Sequence, residues 1–189
     1  MVNLFNHEIQ DVAAGVIICD IINNQPIVLL GKSNVLKRYE EYEGFGGKYD
    51  KGDISTLHTA LRETIEEFFN ILVPTEFINK LAIDFIKHDL IIKRIKFYGM
   101  SYLINLKALH YIFYKLTTIT DQFDKYKVNN TKTFNYNLYI QERIIDDIPD
   151  KGLNEIRSIH IVSLKDILKK KSNLQIRWFT KKIIHQFFK

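Results

Sequence analysis

Three glutamates at helical spacing are the residues of this sequence whose arrangement could carry out chemistry. Glu63, Glu66 and Glu67 lie in residues 56–69, where apolar residues recur every three or four positions and predict an amphipathic helix. Their i, i+3, i+4 spacing places the carboxylates on one helical face, where like charges repel each other. A divalent cation removes that repulsion, and Mg²⁺ binds carboxylate oxygens together with water and phosphate oxygens. The face predicts a metal–phosphate site, although a solvated acidic face without a function has the same composition.

A glycine-rich segment directly precedes this helix. Residues 43–53 contain four of the 8 glycines in the chain, a density found nowhere else in the sequence. Glycine permits close backbone approach, so we expect a shaped loop that can bring its backbone near a metal ion or a phosphate. Arg62, beside the glutamates, could hold one carboxylate through a bidentate pair.

The order and spacing of these residues resemble the Nudix box of the Nudix hydrolase superfamily, G-x5-E-x7-R-E-U-x-E-E-x-G-U, where U is a bulky aliphatic residue. The matching positions are Gly47, Asp53 in place of a glutamate, Arg62, Glu63, Glu66 and Glu67. Residues 54–61 number eight where the family has seven, and Thr64 replaces an aliphatic residue. Phe69 and Asn70 replace the closing glycine and its neighbour. We expect the extra residue to fall before the helix, and Asn70 to end the helix in a left-handed conformation.

The resemblance covers residues 12–72 and 154–168 and implies an α/β fold. The expected architecture is a Nudix-type α/β/α sandwich with a central mixed sheet and an inserted or extended region. Residues 1–189 would then form a single Nudix hydrolase domain, with an embellishment around residues 75–150 and a basic C-terminal helix.

Periodicity predicts the remaining elements. Residues 134–142 alternate apolar and polar side chains, as a half-buried strand does. Other strands are predicted at residues 12–20, 26–30, 90–96, 97–106 and 156–162. Other helices are predicted at residues 76–87, 107–116, 164–170 and 176–188.

The resemblance also implies a reaction and a cofactor. The reaction is hydrolysis of the pyrophosphate bond in a nucleoside diphosphate linked to another group, with Mg²⁺ or Mn²⁺. Glu66 and Glu67 would be the main metal ligands, and Glu63 would share the metal or take a proton. The carbonyl of Gly46 could add a ligand, and Arg62 would orient a carboxylate.

Further residues would complete such a site. Asp53 would have a secondary role, and Glu155 would act as general base or as an additional ligand. The alternatives to Glu155 are Glu142, Asp146 and Asp147. The cations that could contact phosphate are Lys48, Arg38 and Lys32.

Two segments bear on the substrate. Residues 46–51 and 154–159 are similar to the corresponding parts of mRNA-decapping Nudix enzymes, including those of large DNA viruses. The basic residues of the C-terminal part, which could contact RNA, are Lys169, Lys170, Lys171, Arg177, Lys181 and Lys182. Three hypotheses remain open: a hydrolase of small nucleotides, a decapping hydrolase of capped RNA, and a silent module that binds nucleotide or RNA. The intact glutamates favour a catalyst.

Composition describes the expected setting of the protein. The net charge of +5 favours polyanionic partners such as nucleotides or RNA. One cysteine, Cys19, excludes an intramolecular disulfide. Residues 1–10 lack the pattern of a signal peptide, and polar residues interrupt the most apolar stretch, residues 12–30. We therefore expect no membrane span and a cytoplasmic location, in the host cytoplasm if the protein is viral.

Overall fold

A long hairpin forms the centre of the computed structural model, which describes residues 13–128, 133–145, 147, 153–169 and 173–189. Its strands are β1 (Ala13–Ile22) and β2 (Gln25–Ser33), both rich in buried apolar side chains. The connecting residues Asn23 and Asn24 have φ values of 51° and 61°. Two consecutive positive φ values are typical of the tight turns whose twist matches that of the flanking strands. The strands predicted at residues 12–20 and 26–30 are confirmed over the described residues, and they pair as this hairpin.

The hairpin is extended into a mixed seven-stranded sheet. The first half of β1 pairs antiparallel with β4 (Phe45–Lys48), its second half pairs antiparallel with β2, and it also pairs in parallel with β6 (Met100–Ile104). β2 also pairs with β3 (Tyr42–Glu43) and β7 (Ile156–Ser163). β5 (Lys93–Lys96) pairs antiparallel with β6. Because β4 occupies the first half of β1, its glycines lie against the middle of the sheet.

Helices cover both faces of the sheet. They are α1 (Thr56–Thr64), α2 (Thr75–Lys87), α3 (Leu106–Leu116), α4 (Tyr136–Glu142), α5 (Leu164–Leu168) and α6 (Trp178–Phe187). A π-helical segment, Ile65–Phe69, continues α1. Val16 and Ile18 of β1 pack into a core with α1 to α4, whereas Ile17 between them packs into a second core with α5 and α6. This alternation confirms the α/β class with helices on both faces of a mixed sheet.

The predicted strand at residues 134–142 is wrong, because most of this segment is the helix α4. The side chain of Asn135 accepts a hydrogen bond from the amide of Leu138 and caps the helix N-terminus. Phe134 and Tyr139 are buried within an aromatic cluster that also includes Phe69 and Phe123. The apolar alternation therefore reflects packing of two aromatic rings on one cluster and not a pleated strand.

The other predicted helices and strands that fall on described residues are confirmed, with bounds shifted by a few residues. Residues 90–106 form the hairpin of β5 and β6 around a turn at Tyr98 and Gly99, so the two predicted strands are shorter than expected. No helix within the described part of the chain is long and apolar enough to cross a membrane. Asp146, Lys170 and Lys171 lie outside the described residues.

Candidate active site

Close packing between β1 and β4 provides the floor of the site. A Cβ atom at Gly46 would lie 2.6 Å from the Cα of Gly15, so this pair of strands tolerates no side chain there. A Cβ atom at Gly47 would overlap the carboxylate of Glu63. The glycines therefore allow the glutamate helix to lie directly against the backbone of β4.

The helix that carries the acidic residues begins where the sequence predicts. Ser55 caps α1, and its hydroxyl accepts a hydrogen bond of 3.1 Å from the amide of His58. The apolar side of α1 is buried in the core through Leu57, Ala60 and Leu61. This packing leaves Arg62 and Glu63 on the side that faces β4.

The predicted helix over residues 56–69 is confirmed, but only Thr56–Thr64 is α-helical, and the π-helical segment Ile65–Phe69 forms its C-terminal part. A π turn is wider than an α turn because each amide reaches one residue further back, and such turns occur frequently at functional sites. Glu66 and Glu67 therefore lie in a π-helical turn, whereas Glu63 lies in the α-helix before it. Asn70 ends the segment at φ 54° and ψ 47°, which confirms the predicted left-handed conformation.

Side chains of α4 and its C-terminal end bind the backbone of the π-helical segment. The hydroxyl of Tyr139 donates to the carbonyl of Phe68 at 2.7 Å. Arg143, which is buried, donates to the carbonyl of Glu67 and, at 2.7 Å, to the carbonyl of Ile156 in β7. These donors satisfy carbonyls at the C-terminal end of the helix, where backbone carbonyls have no partner within the helix. They also connect the glutamate segment to the strand that follows Glu155.

Arg62 is the centre of the polar network. Its Nε and one terminal nitrogen donate to the two carboxylate oxygens of Asp53 at 3.1 and 3.0 Å. The guanidinium also lies 2.9 Å from a carboxylate oxygen of Glu63 and donates to Glu66 at 3.0 Å. A further bond of 2.8 Å reaches the carbonyl of Lys48 in β4. Arg62 thus connects the loop, β4 and both helical turns.

Asp53 stands where the motif has a glutamate, and its shorter side chain still reaches its partners. The carboxylate binds Arg62 through both oxygens, and it also contacts Nδ1 of the buried His58 at 2.7 Å. Burial opposes ionisation, but the hydrogen bonds from Arg62 and from the amide of Asp50 outweigh it and lower the pKa of Asp53 to about 2. Asp53 is therefore charged and holds Arg62 in place.

The glutamates, in contrast, are short of positive charge. Burial, opposed by Arg62 and reinforced by Glu66, raises the pKa of Glu63 to about 7. Burial, reinforced by Glu63, raises the pKa of Glu67 well above its usual range, although the amide of Gly46 donates to this carboxylate at 2.6 Å. Burial also raises the pKa of Glu66. One guanidinium does not balance this group of carboxylates, so a cation in the cavity would be stabilised.

Glu155 is the acidic residue that β7 brings to the site. It lines the same cavity as the three helical glutamates, and its charge contributes to the raised pKa values of Glu63 and Glu67. Asn154 beside it exchanges two hydrogen bonds with Asn70, of 2.8 and 3.0 Å, which fix Glu155 relative to the glutamate segment.

The other candidates for this acidic position lie elsewhere or outside the described residues. Glu142 forms an ion pair with Lys125 at 2.8 Å and does not line the cavity. Asp147 is exposed and also does not line it. The structure therefore favours Glu155 over both of these residues.

The cavity has a volume of about 930 Å³ and two chemically different ends. At one end lie the glutamates and β4. At the other end the lining side chains are apolar or aromatic and include Tyr98, Trp178 and Phe179. Between them Glu43, which is buried, binds Arg38 at 3.0 Å and Arg177 at 2.7 Å. The cavity can therefore hold a charged group and a ring together.

The three cations predicted to contact phosphate are placed differently. Lys48 and Arg38 line the cavity, although the guanidinium of Arg38 is paired with Glu43. Lys32 does not line it, because its ammonium group is paired with Glu40. The structure therefore does not bring Lys32 to the candidate site.

The donor set fits a hard divalent cation in its chemistry, since carboxylates are the preferred ligands of Mg²⁺. Among the described residues, however, no three acidic, cysteine or histidine side chains are already spaced to hold a metal ion. Arg62 binds Glu63 and Glu66, and the amide of Gly46 binds Glu67. Coordination by these glutamates therefore requires their side chains to exchange such partners for the metal.

Sequence reasoning missed the residues at the aromatic end of the cavity. Tyr98 and Trp178 are separated by 80 positions, and no local spacing connects them. Glu43 belongs to the glycine-rich segment but gives no signal of its own, because its partner Arg177 lies 134 positions away. Exposed aromatic residues become informative only once the fold places them on one cavity.

Comparison with known proteins gives matches among solved structures only. No family model and no curated protein matches the sequence. A C. elegans Ap4A hydrolase binary complex matches at 14% identity over 93% of this chain and 95% of its own, with a TM-score of 0.46. The NUDIX domain of Shewanella oneidensis NrtR complexed with ADP ribose matches at 13% identity over 98% of this chain and 94% of its own, also with a TM-score of 0.46.

A further match is a MutT/nudix family protein from Enterococcus faecalis, at 14% identity over 94% of this chain and 60% of its own, with a TM-score of 0.43. The structures that match thus include members of the family that the motif resembles. At these identities and TM-scores we take the chemistry of the site from the side chains of this chain alone.

The bond between Tyr139 and the π-helical segment can be tested by stability. Tyr139→Phe removes the hydroxyl and leaves the buried carbonyl of Phe68 without this donor, so we expect a loss of about 1–3 kcal/mol in the free energy of unfolding. Urea denaturation of the two proteins measures this difference in the free energy of unfolding. Tyr136→Phe, in the same helix at a half-buried position, is the matched control and should change stability by less than about 0.5 kcal/mol. Equal effects of the two changes would contradict the assigned contact.

The raised pKa values of Glu63 and Glu67 predict a pH dependence of stability in the absence of metal. Each side chain binds its proton more tightly in the folded state, so this stability is present below the unfolded pKa and is lost as pH rises. For Glu63 the loss falls between its ordinary pKa of 4.5 and its folded value of about 7. We expect Tm to fall over this range in a chelator.

The same reasoning predicts how Mg²⁺ acts on Tm. Because the cation binds the ionised carboxylates, it should raise Tm more at about pH 7.5 than at about pH 5. Glu63→Gln should flatten the metal-free profile, whereas Glu76→Gln, at an exposed position on α2, should leave it unchanged. An equal Mg²⁺ effect at both pH values would show that these carboxylates do not bind the ion.

Proposed function

We propose that this chain is a Nudix hydrolase that uses a divalent metal ion to cleave the pyrophosphate bond of a nucleoside diphosphate linked to another group. The observation that carries the proposal is the convergence of Glu63, Glu66, Glu67 and Glu155 on one cavity above the two central glycines of β4. Three of these carboxylates come from one continuous helix and the fourth from the residue before β7, so an accidental acidic helix face alone does not explain them.

The residues of the chain divide the work in this reaction. A bound Mg²⁺ or Mn²⁺ would offset the charge of the pyrophosphate and lower the pKa of a bound water. Glu66 and Glu67 would hold the ion, and the carbonyl of Gly46 in β4 could add a ligand. Glu63 or Glu155 accepts the proton of the attacking water, and burial raises the pKa of Glu63 to about 7, which suits proton transfer at neutral pH. Arg62 keeps the carboxylates in place and does not touch the substrate.

Substitution of the paired glutamates tests the proposal. Glu66→Gln or Glu67→Gln removes a charge that the metal requires, so we expect turnover to fall by about two to four orders of magnitude while the protein stays folded. The measurement is phosphate or nucleotide release with Mg²⁺ and Mn²⁺, with circular dichroism as the check on folding. Glu76→Gln is the control. Unchanged metal-dependent turnover in the double variant would reject a catalytic role, and a silent binding module would then be the better interpretation.

The substrate needs its own comparison. The panel consists of nucleotide sugars, dinucleoside polyphosphates and nucleoside triphosphates on one side, and RNA with a labelled cap on the other. Small nucleotides are the main proposal, because the cavity of about 930 Å³ has the size of a small-molecule site. Release of capped nucleoside diphosphate from RNA, with no turnover of the small nucleotides, would favour the decapping alternative.

Basic residues near the cavity support the RNA alternative. Arg177 lines the cavity, and the ammonium of Lys182 lies 5.1 Å from the ring centroid of Trp178 at its rim. If these cations meet RNA phosphates, affinity for capped RNA should fall steeply as salt is raised, by about 0.7 in log affinity per log salt for each phosphate contacted. Fluorescence anisotropy with labelled RNA measures this slope. An affinity that does not respond to salt would remove the support that these cations give to decapping.

A further inference from the structure

The aromatic end of the cavity contains two large rings that the fold leaves in solvent. Tyr98 is 78% exposed and Trp178 is 56% exposed, although both line the same cavity as the glutamates. Large apolar side chains that are exposed together on a concave surface commonly mark a binding site. Their burial by a ligand would remove this apolar area from water.

The rings support each other in an arrangement that leaves ring surface free. Tyr98 and Trp178 meet edge to face, with centroids 5.5 Å apart and planes at 84°. Phe97 packs edge to face on Tyr98 at 4.8 Å, and Lys182 lies over Trp178. No planar group fits between two rings in this geometry, so a ligand ring would stack on the outer surface of the pair.

The backbone at Tyr98 is held in an unfavourable conformation. Its φ of 52° is left-handed, which is an outlier for a bulky aromatic residue. The adjacent Gly99 has a φ of 131°, and a Cβ atom there would overlap the carbonyl oxygen of Ala13 in β1. The amide of Phe97 donates to the carbonyl of Gly99 at 2.8 Å and closes the turn. The turn is thus fixed against β1 and directs Tyr98 outward, where it lines the cavity.

The sheet sets the distance between the two ends of the cavity. Ala14 of β1 pairs with Gly47 on one side and with Met100 on the other. Since neighbouring strands lie about 5 Å apart, Gly47 and Met100 are separated by about 10 Å across the sheet. Glu63 packs on Gly47, and Tyr98 precedes Met100 by two residues. A ribose with a phosphate is the kind of group that spans such a gap.

We propose that Tyr98 and Trp178 form a stacking platform for the aromatic base of a nucleotide whose diphosphate lies at the glutamate end of the cavity. The position of the diphosphate rests on the proposed function, whereas the platform rests on the geometry of the two rings. A platform of this kind accepts any base, because every base has a π face. It therefore selects nucleotides over phosphate compounds that have no ring.

Trp178 provides the test, because it is the only tryptophan of the chain. The intact protein is titrated in Mg²⁺ with ADP, with GDP and with pyrophosphate, and neither nucleotide carries the further group that the proposed reaction would release. We expect saturable quenching of tryptophan emission by ADP or GDP and none by pyrophosphate. Quenching by pyrophosphate equal to that by the nucleotides, or no quenching by either nucleotide, would overturn the platform.

Two substitutions separate stacking from a nonspecific change in emission. Tyr98→Ala should weaken nucleotide binding about 5- to 100-fold in the same titration, in keeping with the usual loss when a stacking side chain is truncated. Trp178→Ala should do so in equilibrium dialysis with labelled ADP. Phe188→Ala, an exposed aromatic residue at the end of α6 that does not line the cavity, is the control. Equal affinities of Tyr98→Ala and the control would contradict the platform even if Trp178→Ala does not fold.

The outcome is distinguishable from failure of the proposed hydrolase function. Quenching by nucleotide without turnover on the substrate panel would leave the platform in place and reject the catalytic proposal. Turnover without quenching would reject the platform alone.

Discussion

The site depends on one partly buried guanidinium placed among more carboxylates than it can neutralise. Arg62 pairs with Asp53, Glu63 and Glu66, whereas Glu67 and Glu155 add negative charge without an equivalent partner among the residues that the structure describes. Burying carboxylates costs free energy unless each one is paired or protonated. The pKa of Asp53 is lowered and those of the glutamates are raised, so the chain itself divides the group into a structural anion and a set that requires protons or a cation.

This arrangement is possible only because β4 carries no side chains at its two central positions. Gly46 approaches Gly15 of the central strand, and Gly47 leaves room for Glu63. A side chain at either position would push the helix or the strand outward and separate Arg62 from the carbonyl of Lys48. The glycines and the acidic residues are therefore one structural unit, which explains why their joint spacing is more informative than either pattern alone.

The sequence predicts this unit well because its parts are close along the chain. Ser55, Arg62, Glu63 and Asn70 are positioned by a single helix and its two ends, and local rules of capping and periodicity describe such geometry. The π turn was not predictable, because its carbonyls are bound by Tyr139 and Arg143, which come from a segment about 75 positions further on. Most of that segment was itself predicted as a strand. Its apolar and polar residues alternate because its aromatic side chains pack on one cluster, and such an alternation resembles that of a strand.

The aromatic end of the cavity is built from parts of the chain that differ from those of the acidic end. The acidic end is built from one continuous segment and the residue before β7, and in the proposed function a metal ion held there would bind the diphosphate whatever group the diphosphate carries. The aromatic end is built from the β5–β6 turn and the start of α6, elements that meet only in the folded chain. Because the two ends share β1 as their floor, a change in the turn or in α6 would alter the proposed ring binding without moving Glu63, Glu66 or Glu67. In the two proposals, the chemistry and the binding of the base thus depend on separate elements that lie against the same strand.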